Sequence, residues 1–229
     1  RALYYCFRRE MNYKIGIPII VVLIVLAGVL GYTYLLPPPA KATVTLNGAG
    51  ATFPYPLLDA MRVNYTKQHP NVIINYQAIG SGGGISALQG KTVDFCGSDA
   101  PLTTAEAQKA PNTLTIPETT GSVTIAYNLP GVPTGLRLTG KVIADIFAGN
   151  VTIWNDPAIQ SLNPNTTLPS KSILVVHRSD GSGTTFIFTG YLSLSSAAWR
   201  KAIGQGKTVA WPVGVGANGN TGVASVVQG

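Results

Sequence analysis

Charge is scarce in this chain: only 11% of its 229 residues are Asp, Glu, Lys or Arg. There is no Lys/Arg-rich run and no basic stripe interleaved with aromatics, so nothing supports a nucleic-acid partner. His69 and His177 are the only histidines, and Cys6 and Cys96 the only cysteines. So few and so scattered, they make neither a metal site nor a cofactor ligand set, and no metal or cofactor is expected. A Cys6–Cys96 disulfide is not expected either, because the two fall on opposite sides of the apolar segment described next. Cys96 reads as a small core residue.

One long hydrophobic run is present. From Ile15 to Leu36 the chain reads "IGIPIIVVLIVLAGVLGYTYLL", 22 residues without a charge. At 1.5 Å per residue, ~33 Å of helix suffices to cross the roughly 30 Å hydrocarbon layer. Arg1, Arg8, Arg9 and Lys14 against Glu10 place +3 of the net +7 ahead of it, leaving +4 for the rest. Basic residues stay inside, which assigns 1–14 as a cytoplasmic basic N-terminus. Residues 15–36 are then a transmembrane anchor or signal segment, and 37–44, with "PPPAKA", a Pro-rich linker. Cleavage at "AKA" (40–42) would give a secreted form, but signal h-regions usually run ~7–15 residues, which favours a retained anchor. Val29 stands in "VLAGV" where a lipoprotein would need Cys. Both readings put the following domain outside, at the cell membrane facing periplasm or cell surface, or secreted.

With 45% hydrophobic residues, the remainder can form one large domain or two small ones. "NVIINYQAI" and "SILVVHR" read as strands. "PLLDAMRVNYTKQ", "GISALQG" and "GKVIADIFAG" read as helices, the last stopped by Gly149. "TTAE" (103–106) has capping-box spacing from Thr103 to Glu106. Strands alternating with helices imply an α/β fold rich in parallel sheet. "NYT", "NVT" and "NTT" at 64–66, 150–152 and 165–167 have the form of glycosylation acceptors.

The chemistry concentrates in "HRSDGSGTTF" (177–186). A strand enters it and a helix leaves near Thr184, so unpaired N–H groups and a partial positive charge face whatever binds there. Gly181 and Gly183 permit close backbone approach, and Ser182 and Thr184 add hydroxyl donors. Arg178 supplies a planar fork suited to a tetrahedral oxyanion, with Asp180 placed to hold it. The same order of strand, small residues, hydroxyl and helix recurs in "GAGATFPYP" (48–56) and "IGSGGGI" (79–85), and in "VDFCGSDAPL" (93–102) with its Ser98 and Asp99. In an open α/β sheet, ligands bind beyond the carboxyl ends of strands. Of nine acids, Glu10 precedes the apolar run; among the other eight, Asp94, Asp99 and Asp180 fall in these loops. As plain structural residues, Asp94 would cap a neighbouring backbone and Asp99 a helix or turn.

"GAGATFPYPL", "YQAIGSGGGI", "VDFCGSDAPL", "IFAGNVTIWNDPAI" and "RSDGSGTTFIFTGYL", in this order from about Leu46 onward, resemble the phosphate-binding proteins of high-affinity phosphate ABC transporters. The resemblance implies a two-lobed periplasmic-binding-protein-like fold of type II that closes on phosphate and delivers it to ABC transporter permease subunits. By matching position, the ligand contacts would be Thr52 and the Phe53 amide, Ser81, Asp99, Arg178, Ser182, Gly183 and Thr184, with Asp180 orienting Arg178. It implies lobe I over 45–126, lobe II over 127–229 and a hinge in "SVTIAYNLPG" (122–131). It also implies a longer chain, whose return segment would complete lobe I; by that measure this sequence is a C-terminally truncated form. Cys96 departs from the family, which has a small residue such as glycine there.

Other classes fit less well. A binding protein for sulfate, molybdate or tungstate would share most of the loop chemistry; Asp99 separates it from a phosphate binder. A serine hydrolase or phosphatase needs G-x-S-x-G, but Asp180 and Ile79 occupy the first glycine positions around Ser182 and Ser81. His177 precedes Arg178 on a strand and should point to the opposite face. No catalytic residues are therefore expected. "KAIGQGKT" (201–208) has Lys201 where a P-loop needs glycine, and "GVGANG" (214–219), lacking a following acid, reads as a hinge-side loop.

Overall fold

The computed structural model describes residues 13–35 and 41–229, with side-chain surroundings from 18 to 32 and from 41 onward. The basic stretch 1–14 with Cys6, and the spacer 37–44, therefore lie wholly or partly outside the described residues. Residues 1–42 form one unit and 43–229 another. In the first, helix α1 (Tyr13–Leu35) takes up the uncharged run, and its side chains from Pro18 to Leu30 are exposed. Among the described residues no helix is long and apolar enough to cross a membrane. The transmembrane segment expected over 15–36 is thus not established by the described part of α1.

In the second unit, strands and helices alternate as β1 (Val44–Gly50), α2 (Tyr55–Gln68), β2 (Val72–Gln77), α3 (Gly80–Gln89), β3 (Phe95–Gly97) and α4 (Thr104–Lys109). After a long irregular stretch come α5 (Gly140–Phe147), α6 (Pro157–Gln160), β4 (Val176–Arg178), α7 (Gly183–Ser195), α8 (Ala197–Ala202), β5 (Val215–Ala217) and α9 (Gly219–Gln228). β1 is the centre of a parallel sheet ordered β2-β1-β3, with Val44 opposite Val72 and Gly50 opposite Gly97. β4 and β5 make a second parallel pair, Arg178 opposite Ala217. The α/β architecture with parallel sheets stands as expected.

Because β1 is central, the chain leaves it to build β2 on one side and β3 on the other. The carboxyl end of β1 is therefore a switch point, where the loops diverge and a crevice opens. Burial follows this geometry: the first four residues of β1 are exposed and the last three buried. The largest apolar clusters lie further along the chain. α5 turns Val142 and Ile146 toward Val151, Ile159, Leu168 and Val175, and Ile143 and Ala144 toward Leu192 and Trp199. Truncating a buried Ile159 or Leu192 to Ala should cost about 2–5 kcal/mol.

Local signals behave as their chemistry requires. Thr103 and Glu106 close a reciprocal capping box on α4, and Gly149 follows α5 at φ +79°, a conformation natural to glycine. Three boundaries differ from expectation. "SILVVHR" forms a strand only over Val176–Arg178, while Ser172 bridges antiparallel to Ile153. α3 begins at Gly80, so the glycines expected to form a loop are its first turn. "GVGANG" is not a plain loop: it runs from β5 into α9.

Candidate anion-binding site

Arg178 ends β4, and its position on a strand inside the body makes it 7% exposed. An isolated cation at that depth is costly unless paired. Its Nε donates to Asp180 Oδ1 at 2.6 Å, and its Nη2 donates to Asp180 Oδ2. Nη1 reaches Thr52 Oγ1 at 3.2 Å and Asn220 Oδ1 at 2.7 Å. Burial works to raise the Asp180 carboxyl, but the Arg178 hydrogen bonds, the Gly219 amide and the Arg178 charge bring it below the ordinary carboxylate value. The expected role of Asp180 as holder of the fork is what this geometry provides.

The loops converge on this pair. Gly82 N–H in the first turn of α3 donates to Gly181 O at 2.8 Å. Gly219 N–H, the first of α9, donates to Asp180 Oδ1 at 3.2 Å. Ser182 caps α7 by accepting from Thr185 N–H at 3.0 Å. The N-termini of α3, α7 and α9 are thereby drawn to one place, each with amides that lack intrahelical acceptors. Ser81 and Ser182 are fully buried within it. Gly80 has φ +83°, and a Cβ there would collide with the Asp180 carboxylate, so both conformation and space demand glycine.

Asp99, in the turn after β3, holds the other side. Its backbone N–H donates to Ser81 Oγ at 3.2 Å, and Thr184 Oγ1 donates to its Oδ2 at 3.2 Å. Burial pushes the Asp99 carboxyl above its ordinary range, against the Thr184 hydrogen bond and the Arg178 charge. Asp99 does not cap α4, which Thr103 caps; its carboxyl instead meets the Thr184 backbone and hydroxyl in the first turn of α7. Asp94 does have the structural role, its Oδ2 accepting from Asn47 N–H at 2.7 Å. Phe53 is half-buried beside Gly121; with Asp99, Thr184, Glu118 and Ile116 it lines an adjoining cleft of about 1020 Å³.

Thr52, Ser81, Asp99, Arg178, Asp180, Ser182, Gly183 and Thr184 are thus brought together, with Phe53 beside them. Two features were missed. Asn220 and Gly219 belong to the cluster; the strand–small residue–Asn–helix order of "GVGANG" carried that signal, but an acid was sought after it. Lys207, within the failed P-loop match, pairs with Glu106 Oε1 at 2.7 Å, and its carbonyl accepts from Ser182 N–H at 2.9 Å. The His177 ring stacks on Trp211 with ring centroids 4.8 Å apart, its Nδ1 3.0 Å from the Arg178 carbonyl oxygen. Among the described residues no group of His, Cys, Asp and Glu could hold a metal ion.

Parallel strands with helix N-termini and a buried, paired guanidinium at their carboxyl ends define an α/β protein of the binding-protein class. Residues 37–229 match the family model described as PBP superfamily domain, and the chain belongs to that family. It is 50% identical over 195 residues to the phosphate-binding protein PstS of Xylella fastidiosa strain Temecula1, covering 84% of this chain and 53% of that protein. It is 39% identical over 228 residues to the phosphate-binding protein PstS of Methanocaldococcus jannaschii, covering 93% and 59%. The chain spans about half the length of the curated relatives it matches. In fold it is similar to a Clostridium perfringens structure described as a phosphate ABC transporter substrate-binding protein with bound phosphate. The TM-score is 0.57 at 23% identity, over 81% of this chain and 66% of that one.

Proposed function

We propose that this chain binds inorganic phosphate outside the cytoplasm and hands it to the permease subunits of an ABC transporter. The observation that carries the reading is the buried Arg178, locked by Asp180 and facing Asp99 across a ring of hydroxyls and helix N-termini. A carboxylate opposite a bound anion needs a proton between them, and phosphate near neutral pH carries one where sulfate carries none. Phe53, Ser81, Ser182, Gly183 and Thr184 would complete the cage. The names borne by the relatives support the same reading. Turnover is not part of the function: Ser182 Oγ accepts from the Thr185 amide, and the His177 ring lies against Trp211 with Nδ1 3.0 Å from Arg178 O, so the pair a serine hydrolase would use, Ser182 with His177, is not assembled.

Residues 45–126 and 127–229 act as two lobes about a hinge at 122–131, a reading supported by the absence of helix or strand over that stretch and by ligand loops on either side of it. Scattering curves of the full chain should contract on adding phosphate; identical curves would remove the hinge. The segment 15–36 anchors the chain, supported by its uncharged length and the exposed apolar side chains of α1. Calorimetric titration of the full chain in detergent with phosphate, arsenate and sulfate tests the whole reading. Tight binding of phosphate and arsenate with sulfate excluded is expected. Equal or tighter sulfate binding, or phosphomonoester turnover lost in Ser182→Ala, would overturn it.

A further inference from the structure

We infer that Asn220, at the start of α9, is a positioning residue that makes the Arg178–Thr52 side of the anion site, opposite the acceptor Asp99, donor-only by saturating the Thr52 hydroxyl and fixing Arg178 and Thr52 together. The inference rests on the phosphate reading of the site only for its effect on affinity. Its basis is an accounting of hydrogen-bond capacity. Arg carries five N–H donors and a hydroxyl oxygen accepts at two positions while donating once. Of the Arg178 donors, Nε and one on Nη2 go to Asp180, and Nη1 is used by Thr52 and Asn220. What remains is a single N–H on Nη2, the nitrogen nearest Gly80 at the start of α3.

Thr52 Oγ1 is filled in the same way. It accepts from Arg178 Nη1 at 3.2 Å and from the Asn220 backbone N–H at 3.4 Å. Both lone-pair positions are then occupied, so the Thr52 hydroxyl has only its proton to offer. Asn220 hydrogen-bonds both partners, through its Oδ1 to Arg178 and its backbone N–H to Thr52. It also spans the chain: the contact to Thr52 links residues 168 apart. A neutral amide suits this place. It accepts from the guanidinium without adding a second carboxylate to Asp180, so the positive charge stays available to an anion.

Side-chain ¹⁵N-edited spectra of the full chain without phosphate test the inference directly. Held at both N–H groups, Nη1 of Arg178 should rotate slowly and show two separate proton signals, assigned by their loss in Arg178→Lys. Asn220→Ala should merge them, and Asn220→Asp, which keeps the acceptor in place, should preserve them. Phosphate affinity should fall roughly tenfold in Asn220→Ala, the low end for a hydrogen bond to a charged group. In an Arg178→Lys background the same change should cost less than about twofold, a non-additivity that general destabilisation would not produce. Unaltered Nη1 signals in Asn220→Ala, or additive losses, would overturn the role of Asn220. If Asn220→Ala does not fold, merged signals in the isosteric Asn220→Asp would overturn it instead. Signals that respond as expected in a parent that binds no phosphate would sink the phosphate reading and leave the positioning role standing.

Discussion

Thr184 Oγ1 donates to Asp99 Oδ2 at 3.2 Å, joining the first turn of α7 to the turn after β3. The carboxylate is held beside hydroxyls rather than paired with a cation, and burial raises its pKa. An anion without a proton would place acceptor against acceptor there. A site that leaves a polar group unpaired can reject the wrong ligand by roughly 10⁴-fold. Asp99→Asn replaces an acceptor with a group that also donates. Phosphate affinity should change by less than about fivefold and sulfate affinity rise by at least about tenfold, each read by calorimetry. A variant excluding sulfate as fully as the parent would assign discrimination elsewhere.

Asp180 sets an acid limb to stability. Its folded pKa lies below the ordinary value of 3.8, so its contribution is complete above that value and is lost as pH falls through the lower folded pKa. The parent should therefore lose stability steeply in this range. Asp180→Asn should be flatter there, and weaker near neutrality by about 3–5 kcal/mol because it leaves Arg178 buried without its counter-charge. Urea midpoints from about pH 5 down to about pH 2 decide it; parallel curves would contradict the pairing.

Lys207 and Glu106 tie α4 to the loop that accepts the Ser182 amide. Burial raises the Glu106 carboxyl, but the Lys207 hydrogen bond, the Thr103 groups and the Lys207 charge outweigh it and lower its pKa. Both side chains are largely sheltered, so the pair should count for more than a surface one. Lys207→Met is expected to lower stability by about 1–2 kcal/mol and weaken phosphate binding, because the Ser182 loop loses its anchor. An unchanged thermal midpoint would show that the backbone bond alone holds the loop.

The loops of the candidate site were legible because their chemistry is local. Glycine, hydroxyl and acid at strand-to-helix junctions need no tertiary information, so the loops holding Thr52, Ser81, Asp99 and Arg178 to Thr184 stood out, while the choice among their side chains, Ser98 left aside, rested on the resemblance to the phosphate-binding family. Strand lengths were not legible: β3 and β4 are three residues each, limited by which neighbours pair with them rather than by their β-branched runs. α3 starts on glycines of poor helix propensity because its first turn is held from outside, by Gly181 O on Gly82, and because Gly84 lies against the backbone of Gly50. Asn220 escaped notice because its role depends on Thr52 and Arg178, far away in sequence.

Gly183 tests how closely the two sides of the site must meet. It is the first residue of α7, with ordinary backbone angles, and helix propensity alone would favour alanine there by roughly 1 kcal/mol. Space decides otherwise. A Cβ at Gly183 would lie 2.5 Å from Ser81 Oγ, 2.6 Å from Asp99 Cβ and 2.9 Å from Asp99 N. Two of those atoms are joined by the Asp99 N–H to Ser81 Oγ bond, so relief requires opening it and moving α7 away from β3. Gly183→Ala should destabilise by about 1–3 kcal/mol, as overpacking does, and reduce phosphate binding far more than stability. Gly222→Ala is the control: inside α9, its Cβ would meet nothing closer than 3.7 Å. That variant should gain roughly 0.5–1 kcal/mol and bind normally. Equal thermal midpoints and affinities for the two variants would mean that the sides of the site can part without loss.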